Sequence, residues 1–249
     1  MRRFYIDPRQ IKGDTAELNG AEARHIRTVL RLQPGDEIEL VDGSGVAYAA
    51  LIKAIDGNRV QAVVQQQFAT GSDSNLKLTV ALGFLKEKKM DLLVRHLTEL
   101  GMTRFLPLWT ERSIARPPQK RLDSRMERWQ SIAREAVKQS KRGLMPEIAW
   151  PIAYDEAIGL SQPSDINIFF WENARQALTE AINPKPRRHE VFVLIGPEGG
   201  FSHHEAQSAV DCGFTPISMG PRILRAETAA ITACALLQYL FGDMDKKSP

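Results

Sequence analysis

Cysteine is scarce: the 249 residues include two, Cys212 and Cys234. They have neither a metal-type spacing nor a disulfide framework, so both read as core thiols in a reducing compartment. The adjacent His203 and His204 would point apart on a helix, and no metal is expected. No apolar run approaches the ~20 residues of a membrane span. The stretch Met1–Pro8 has no apolar signal region. These absences set the expectation of a cytoplasmic protein with no membrane partner. The dinucleotide fingerprint Gly-x-Gly-x-x-Gly is missing, as are the Gly-Lys-Ser/Thr of a phosphate loop and the Gly-x-Ser-x-Gly nucleophile elbow. Three common α/β chemistries go with them.

What is present centres on Val191–Ser202. Val191 to Ile195 is an unbroken apolar run, the pattern of a strand buried on both faces. Gly196-Pro197 stops it, because proline offers no N–H to a ladder. Gly199 and Gly200 allow positive φ and close approach of a ligand to the backbone. Ser202 with Glu205 fits a capping box, Ala206, Ala209 and Val210 mark a packed helix face, and Gly213 is placed to end the helix. A strand, a glycine loop and a helix N-terminus in succession suit a ligand site, although a plain βα turn reads the same way. A second loop, Gly220-Pro221-Arg222-Ile223-Leu224-Arg225, follows the short run Pro216–Met219 and leads into an apolar helix over Glu227–Phe241. Two such loops in one α/β unit point to a shared pocket.

The rest of the chain divides by rhythm. A helix is predicted over Gly20–Leu32, with Ile26, Val29 and Leu30 on one face. Strands follow at Glu37–Val41, Val46–Ile55 and Arg59–Phe68, separated by Asp-Gly turns. Residues 1–70 therefore read as a small β-rich barrel and the polar stretch 71–75 as a linker. Residues 76–249 alternate strand and helix, which predicts an α/β domain with a mostly parallel sheet. Its strands fall at Leu76–Leu82, Arg104–Trp109 and Ile166–Trp171, and its helices at Lys86–Leu100, Arg121–Arg142 and Ala174–Ile182. The charge is uneven: from Glu111 to Arg142 there are ten Lys/Arg against four Asp/Glu. Arg121, Arg125, Arg128, Arg134 and Lys138 share the polar side of one amphipathic helix. That pattern is either a solvated face or a contact for a polyanion.

Both C-terminal motifs, Leu194–Ser202 with Glu205 and Gly220–Ala229, resemble those of the bacterial 16S ribosomal RNA uridine-N3 methyltransferases. These form the small-subunit methyltransferase E family of the SPOUT class. Leu30–Asp36, Lys89–Leu93, Thr98–Gly101, Glu111–Ser113 and Arg128-Trp129 match as well. The chain departs from the family at Lys86-Glu87-Lys88, where a Gly-Asp pair is common, and at Lys141, where glycine is common. Both changes bear on loop shape and RNA contacts. The resemblance implies a SPOUT domain with a deep trefoil knot, a PUA-like N-terminal barrel, a homodimer, and 16S rRNA or the assembled small subunit as partner.

It also implies S-adenosylmethionine as cofactor. The expected binding residues are Glu172 (beside Asn173), Leu194, Gly196, Pro197, Glu198, Gly199, Met219, Gly220, Ile223, Leu224, Arg225, Thr228 and Ala229. RNA contacts are expected at Arg9, Arg24, Arg27, Arg31, Arg112, Arg121, Arg125, Arg128 and Lys138. Methyl transfer to N3 of uridine needs positioning and a cation for the developing anion. Arg225 is the first candidate and Arg222 the second, unless either only pairs with Glu198 or Glu227. Glu198 and Glu227 are candidate proton acceptors or partners for backbone N–H groups. An RNA-binding protein without turnover and a small-molecule enzyme with a nucleotide cofactor remain as alternatives.

Overall fold

The computed structural model describes residues 1–114, 116–161, 166–181 and 190–245. They form two compact units. One comprises Met1–Asp73 with Val137–Met145, the other Ser74–Ala136 with Pro146–Pro249. The first unit thus draws on two stretches of chain rather than on residues 1–70 alone.

In the first unit, β1 (Arg2–Tyr5), β2 (Ile11–Lys12), β3 (Thr15–Asn19), α1 (Gly20–Arg24), β4 (Glu37–Val41), β5 (Val46–Asp56) and β6 (Arg59–Ala69) follow in order. The six strands pair as β1-β4-β5-β6-β3-β2, antiparallel except for the parallel β1–β4 pair. Phe4, Leu18, Ile26, Ile38, Leu40, Ile52 and Val60 fill its core. The helix predicted over Gly20–Leu32 is in fact two pieces. After α1 the chain widens into a π-helix, His25–Leu30, closed by Arg31 in the left-handed region at φ 53°. The wider turn breaks the 3.6-residue stripe, so Ile26 is buried while Val29 is 67% exposed. Asp73, in the stretch read as a linker, anchors the returning segment. Its carboxylate accepts from Arg142 Nε (2.9 Å) and from the backbone N–H groups of Gly143 (2.7 Å) and Leu144 (3.0 Å).

The second unit runs β7 (Lys77–Gly83), α2 (Glu87–Glu99), β8 (Arg104–Trp109), α3 (Gln119–Gln139, whose last residues count with the first unit), β9 (Glu147–Ile148), β10 (Ile152–Ala153), α4 (Tyr154–Gly159), β11 (Ile166–Phe170), α5 (Leu178–Ala181), β12 (Glu190–Ile195), α6 (His203–Asp211), β13 (Thr215–Ile217) and α7 (Ala226–Phe241). The sheet order is β10-β8-β7-β12-β11-β13, with β9 also beside β8, and every pair is parallel. β12 lies between β7 and β11, which explains its unbroken apolar run. Phe192 and Leu194 pack against Tyr154 and Ala157 of α4 and Ala206 and Ala209 of α6. The alternate side chains face the other way, where α7 packs on β7, β12 and α2.

The helix predicted at Ala174–Ile182 is shorter. Ala177 bridges Ser218 in parallel and the Ser218 N–H donates to Gln176 O at 2.8 Å, so this stretch extends the sheet edge instead. Ile182 lies outside the described residues. Val210, assigned to the packed face of α6, is 43% exposed because α6 buries only a narrow Ala206/Ala209 stripe. Among the described residues no helix is long and apolar enough to cross a membrane.

Candidate active site

The carboxyl ends of β12, β11 and β13 lie side by side, where ligands sit in open parallel sheets. β12 ends in the first glycine loop. Pro197 fits against β7 because residue 83 is glycine; a Cβ there would lie 2.5 Å from Pro197 N and Cδ. The turn closes through Gly200 N–H to Pro197 O at 2.9 Å, with Gly200 at φ 68°. A Cβ at Gly200 would also stand 2.9 Å from Glu172 Oε1. Gly199 does not take a positive φ. What its missing side chain admits is the stem of Arg112, whose Cβ would be 3.1 Å away. The Arg112 guanidinium donates to Gly199 O at 2.9 Å and Phe201 O at 3.3 Å. Arg112, expected on RNA, thus braces the loop while remaining exposed.

The capping box of α6 forms as the sequence predicts. The Ser202 N–H donates to Glu205 Oε2 (2.9 Å) and the Glu205 N–H donates to Ser202 Oγ (3.1 Å). Glu205 Oε1 accepts the Glu111 N–H at 2.8 Å, and the Tyr154 hydroxyl donates to Glu205 O at 2.7 Å. Burial pushes the Tyr154 phenol well above its usual range, which keeps it a neutral donor. Cys212 caps α6 and Gly213 (φ 86°) ends it; the Phe214 N–H turns back to Ala209 O at 2.9 Å.

Beyond β13, Gly220 at φ 93° turns the second loop. A cavity of about 610 Å³ lies between the two loops and the chain after β11. Of the residues predicted for the cofactor, Glu172, Gly196, Pro197, Glu198, Gly199, Met219, Gly220, Ile223, Leu224 and Ala229 line it, as does Arg222. Leu194, Arg225 and Thr228 do not. Leu194 points into the core. Arg225 is the N-cap of α7 and Thr228 is exposed on its first turn. Phe170, Trp171, Ser218, Pro221 and Ala226 line the cavity without having been predicted. Only their position just after a strand or at a helix start could have marked them.

The lining suits S-adenosylmethionine. Its volume is in the usual range for a small-molecule site. Apolar side chains can take the adenine, and the carboxylates of Glu172 and Glu198 complement a sulfonium and an ammonium. Behind the first loop, Lys89 Nζ lies 3.1 Å from Glu198 Oε1 and 3.1 Å from Glu227 Oε2. Burial alone would lower the Lys89 ammonium, yet the two carboxylates hold it above its ordinary pKa. Burial would raise Glu227, but its own backbone N–H, Lys89 and Arg225 hold it below.

The RNA methyltransferase domain family matches residues 72–238, and the RNA methyltransferase PUA domain family matches residues 18–65. The chain belongs to the ribosomal RNA small subunit methyltransferase E family. The member from Synechocystis sp. is 32% identical over 243 residues, covering 96% of this chain and 77% of that protein. The Bacillus subtilis member is 26% identical, with 96% of each covered. The crystal structure of the Neisseria gonorrhoeae member bound to S-adenosyl methionine superposes with a TM-score of 0.89. It is 32% identical and covers 98% of this chain and 99% of its own. The α/β fold with its PUA domain and the S-adenosylmethionine-dependent RNA methyltransferase activity follow from this membership.

In this family member the arginines expected on RNA fall into different settings. Arg9 is exposed but forks onto Asp7 at 3.0 and 3.2 Å, and that pairing holds the Asp7 carboxyl at about 2. Arg24 and Arg31 are exposed, and Arg27 donates to Gly57 O at 2.6 Å. On α3, Arg121 is exposed and Arg128 pairs with Asp91 at 2.7 Å. Arg125 is buried, with its guanidinium 5.7 Å from the Phe84 ring centre. Lys138 is also withdrawn, at 2.8 Å from Glu22. The polar side of α3 is thus not one free basic stripe. Arg125 follows Leu122 by three residues and precedes Trp129 by four, which sets it on the flank of the buried face. Lys120, not predicted, joins Arg121, Ser124, Arg125 and Arg128 in a shallow groove.

Proposed function

We propose that this methyltransferase modifies N3 of a uridine in 16S ribosomal RNA, acting as a homodimer with a trefoil-knotted catalytic domain. The observation that carries the reading is the cavity at the ends of β11, β12 and β13, with both glycine loops as walls and Arg222 in its lining. The knot is supported by α7, which leaves the edge strand β13 and returns to pack on β7, β12 and α2. Bound S-adenosylmethionine supplies an electrophilic methyl group, so the chain has to align the acceptor and exclude water.

N3–H of uridine is a weak acid whose proton must leave as the N–C bond forms. Arg222 stands in the wall where anionic charge develops, and a guanidinium stays protonated throughout. Arg225 lies outside the lining and acts on Glu227, which supports Arg222 as the first candidate here and Arg225 as the second. Glu227, held below its usual pKa, is a poor proton acceptor, and Glu198 is engaged by Lys89. Glu172, also in the lining, or water is left to take the proton.

Arg222→Ala is expected to lose about two to three orders of magnitude in kcat, as for removal of an oxyanion donor. Donor affinity should fall less than tenfold, and raised pH should partly restore turnover. Normal turnover by Arg222→Ala together with loss in Arg225→Ala returns the role to Arg225. Mass mapping tests the substrate: 16S rRNA from a deletion strain should lack one methyl group on a uridine, and the purified protein should restore it.

A further inference from the structure

Glu198 and Glu227 belong to two different elements that border the cavity. Glu198 belongs to the first glycine loop and lines the cavity. Glu227 is in the first turn of α7, between Ala226 and Ala229, which also line it. Nothing in the sequence joins these two walls, which lie about thirty residues apart along the chain. A third element joins them in space. Lys89, in the first turn of α2, lies 3.1 Å from each carboxylate and is itself outside the cavity lining. Its side chain is 29% exposed, against 36% for Glu198 and 19% for Glu227, so the bridge is partly shielded from solvent.

We propose that Lys89 is a positioning residue: it sets the separation between the glycine loop and the first turn of α7 at which S-adenosylmethionine fits. The proposal rests on the cofactor reading of the cavity. Each wall has its own anchor in the fold. Pro197 is seated against Gly83 and the loop carbonyls are held by Arg112, while α7 is held by the buried Ala226, Ala230, Ala233 and Leu237. Loss of the bridge therefore acts on the spacing of the walls rather than on the stability of either. One ammonium shared by two carboxylates also leaves net negative charge, and the effect of Arg225 on Glu227 offsets part of it.

Calorimetric binding to the full-length Lys89→Met, Lys89→Arg, Glu227→Gln and doubly substituted Lys89→Met/Glu227→Gln proteins tests this, with S-adenosylmethionine and S-adenosylhomocysteine as probes. Lys89→Met is expected to weaken both ligands about tenfold or more, because a spacing defect ignores the sulfonium charge. Lys89→Arg should stay within about threefold of the native chain. The double variant should bind no worse than Lys89→Met alone, since both changes break one bridge. The melting temperature without ligand should hardly move. Four results would overturn the proposal: native affinity in Lys89→Met, no rescue by arginine, a loss confined to the charged ligand, or a loss matched by melting of the ligand-free protein. A native chain that binds neither ligand overturns the cofactor reading and this proposal with it. A native chain that binds while Lys89→Met binds equally overturns this proposal alone.

Discussion

Lys141 holds its backbone at φ 60°, in the left-handed region that an L side chain occupies at a cost of about 1–2 kcal/mol. Its carbonyl accepts from Ser72 Oγ at 2.5 Å, so the position is fixed by the fold. Glycine would remove the strain but cost about 0.5–1 kcal/mol in chain entropy. Lys141→Gly is therefore expected to stabilise the protein by up to about 1 kcal/mol, a rise of about 2–4 °C in melting temperature at most. Lys141→Ala keeps the strain and should show no gain, and scanning calorimetry separates the two. The same position shows what single residues reveal. That Lys141 stands where the family commonly has glycine was visible in the sequence; that the backbone there is left-handed was not. Gly199 shows the converse. Its place beside the cavity was legible, but its close packing on the stem of Arg112, eighty-seven residues away, was not, and no local pattern contains that contact.

Among the elements, α3 shows how periodicity succeeds and where it stops. Leu122, Met126, Trp129, Ala133, Ala136 and Val137 are buried as their spacing predicts. The Trp129 indole N–H donates to Asp91 Oδ1 at 3.1 Å, and Asp91 Oδ2 pairs with Arg128. Substituting Arg125 or Arg128 would therefore disturb packing as well as charge. Lys120 and Arg121 are exposed at the same groove and separate the two effects. If the groove meets phosphates, Lys120→Glu with Arg121→Glu should weaken RNA binding more than tenfold. It should also reduce the slope of log affinity against log salt by about 2, roughly one for each phosphate left without its cation. S-adenosylmethionine affinity should stay unchanged. An unaltered slope identifies α3 as a solvated face. The two glycine loops were readable because proline, glycine and capping residues act locally. The π-helix at His25–Leu30 was not, because its i to i+5 bonds leave no distinctive residue pattern.

At the scale of the whole molecule, the alternation of strands and helices predicts the parallel sheet but not the strand order, which depends on contacts far apart in sequence. Nor does it show that Val137–Met145 belongs with the N-terminal strands, since the apolar stripe of α3 runs through that point without a break. The proposed homodimer draws on α7. This helix buries Ala226, Ala230, Ala233, Cys234 and Leu237 against its own unit, with Gln238 Nε2 donating to Gly101 O at 3.0 Å. Leu236 remains 40% exposed and Tyr239 58%, with Met244 just beyond the helix at 51%. One turn before the helix, Ile223 lines the cavity yet is 90% exposed. A helix apolar around most of its circumference needs a second surface to cover it, and a two-fold axis lets the same face serve both copies. Light scattering at micromolar concentration is therefore expected to give twice the chain mass. Leu236→Glu with Tyr239→Arg should give monomers that keep their helical content, because neither side chain is in the core. A native chain that scatters as a monomer removes the dimer, and a double variant that remains dimeric places its interface elsewhere; either leaves the outer face of α7 without this role.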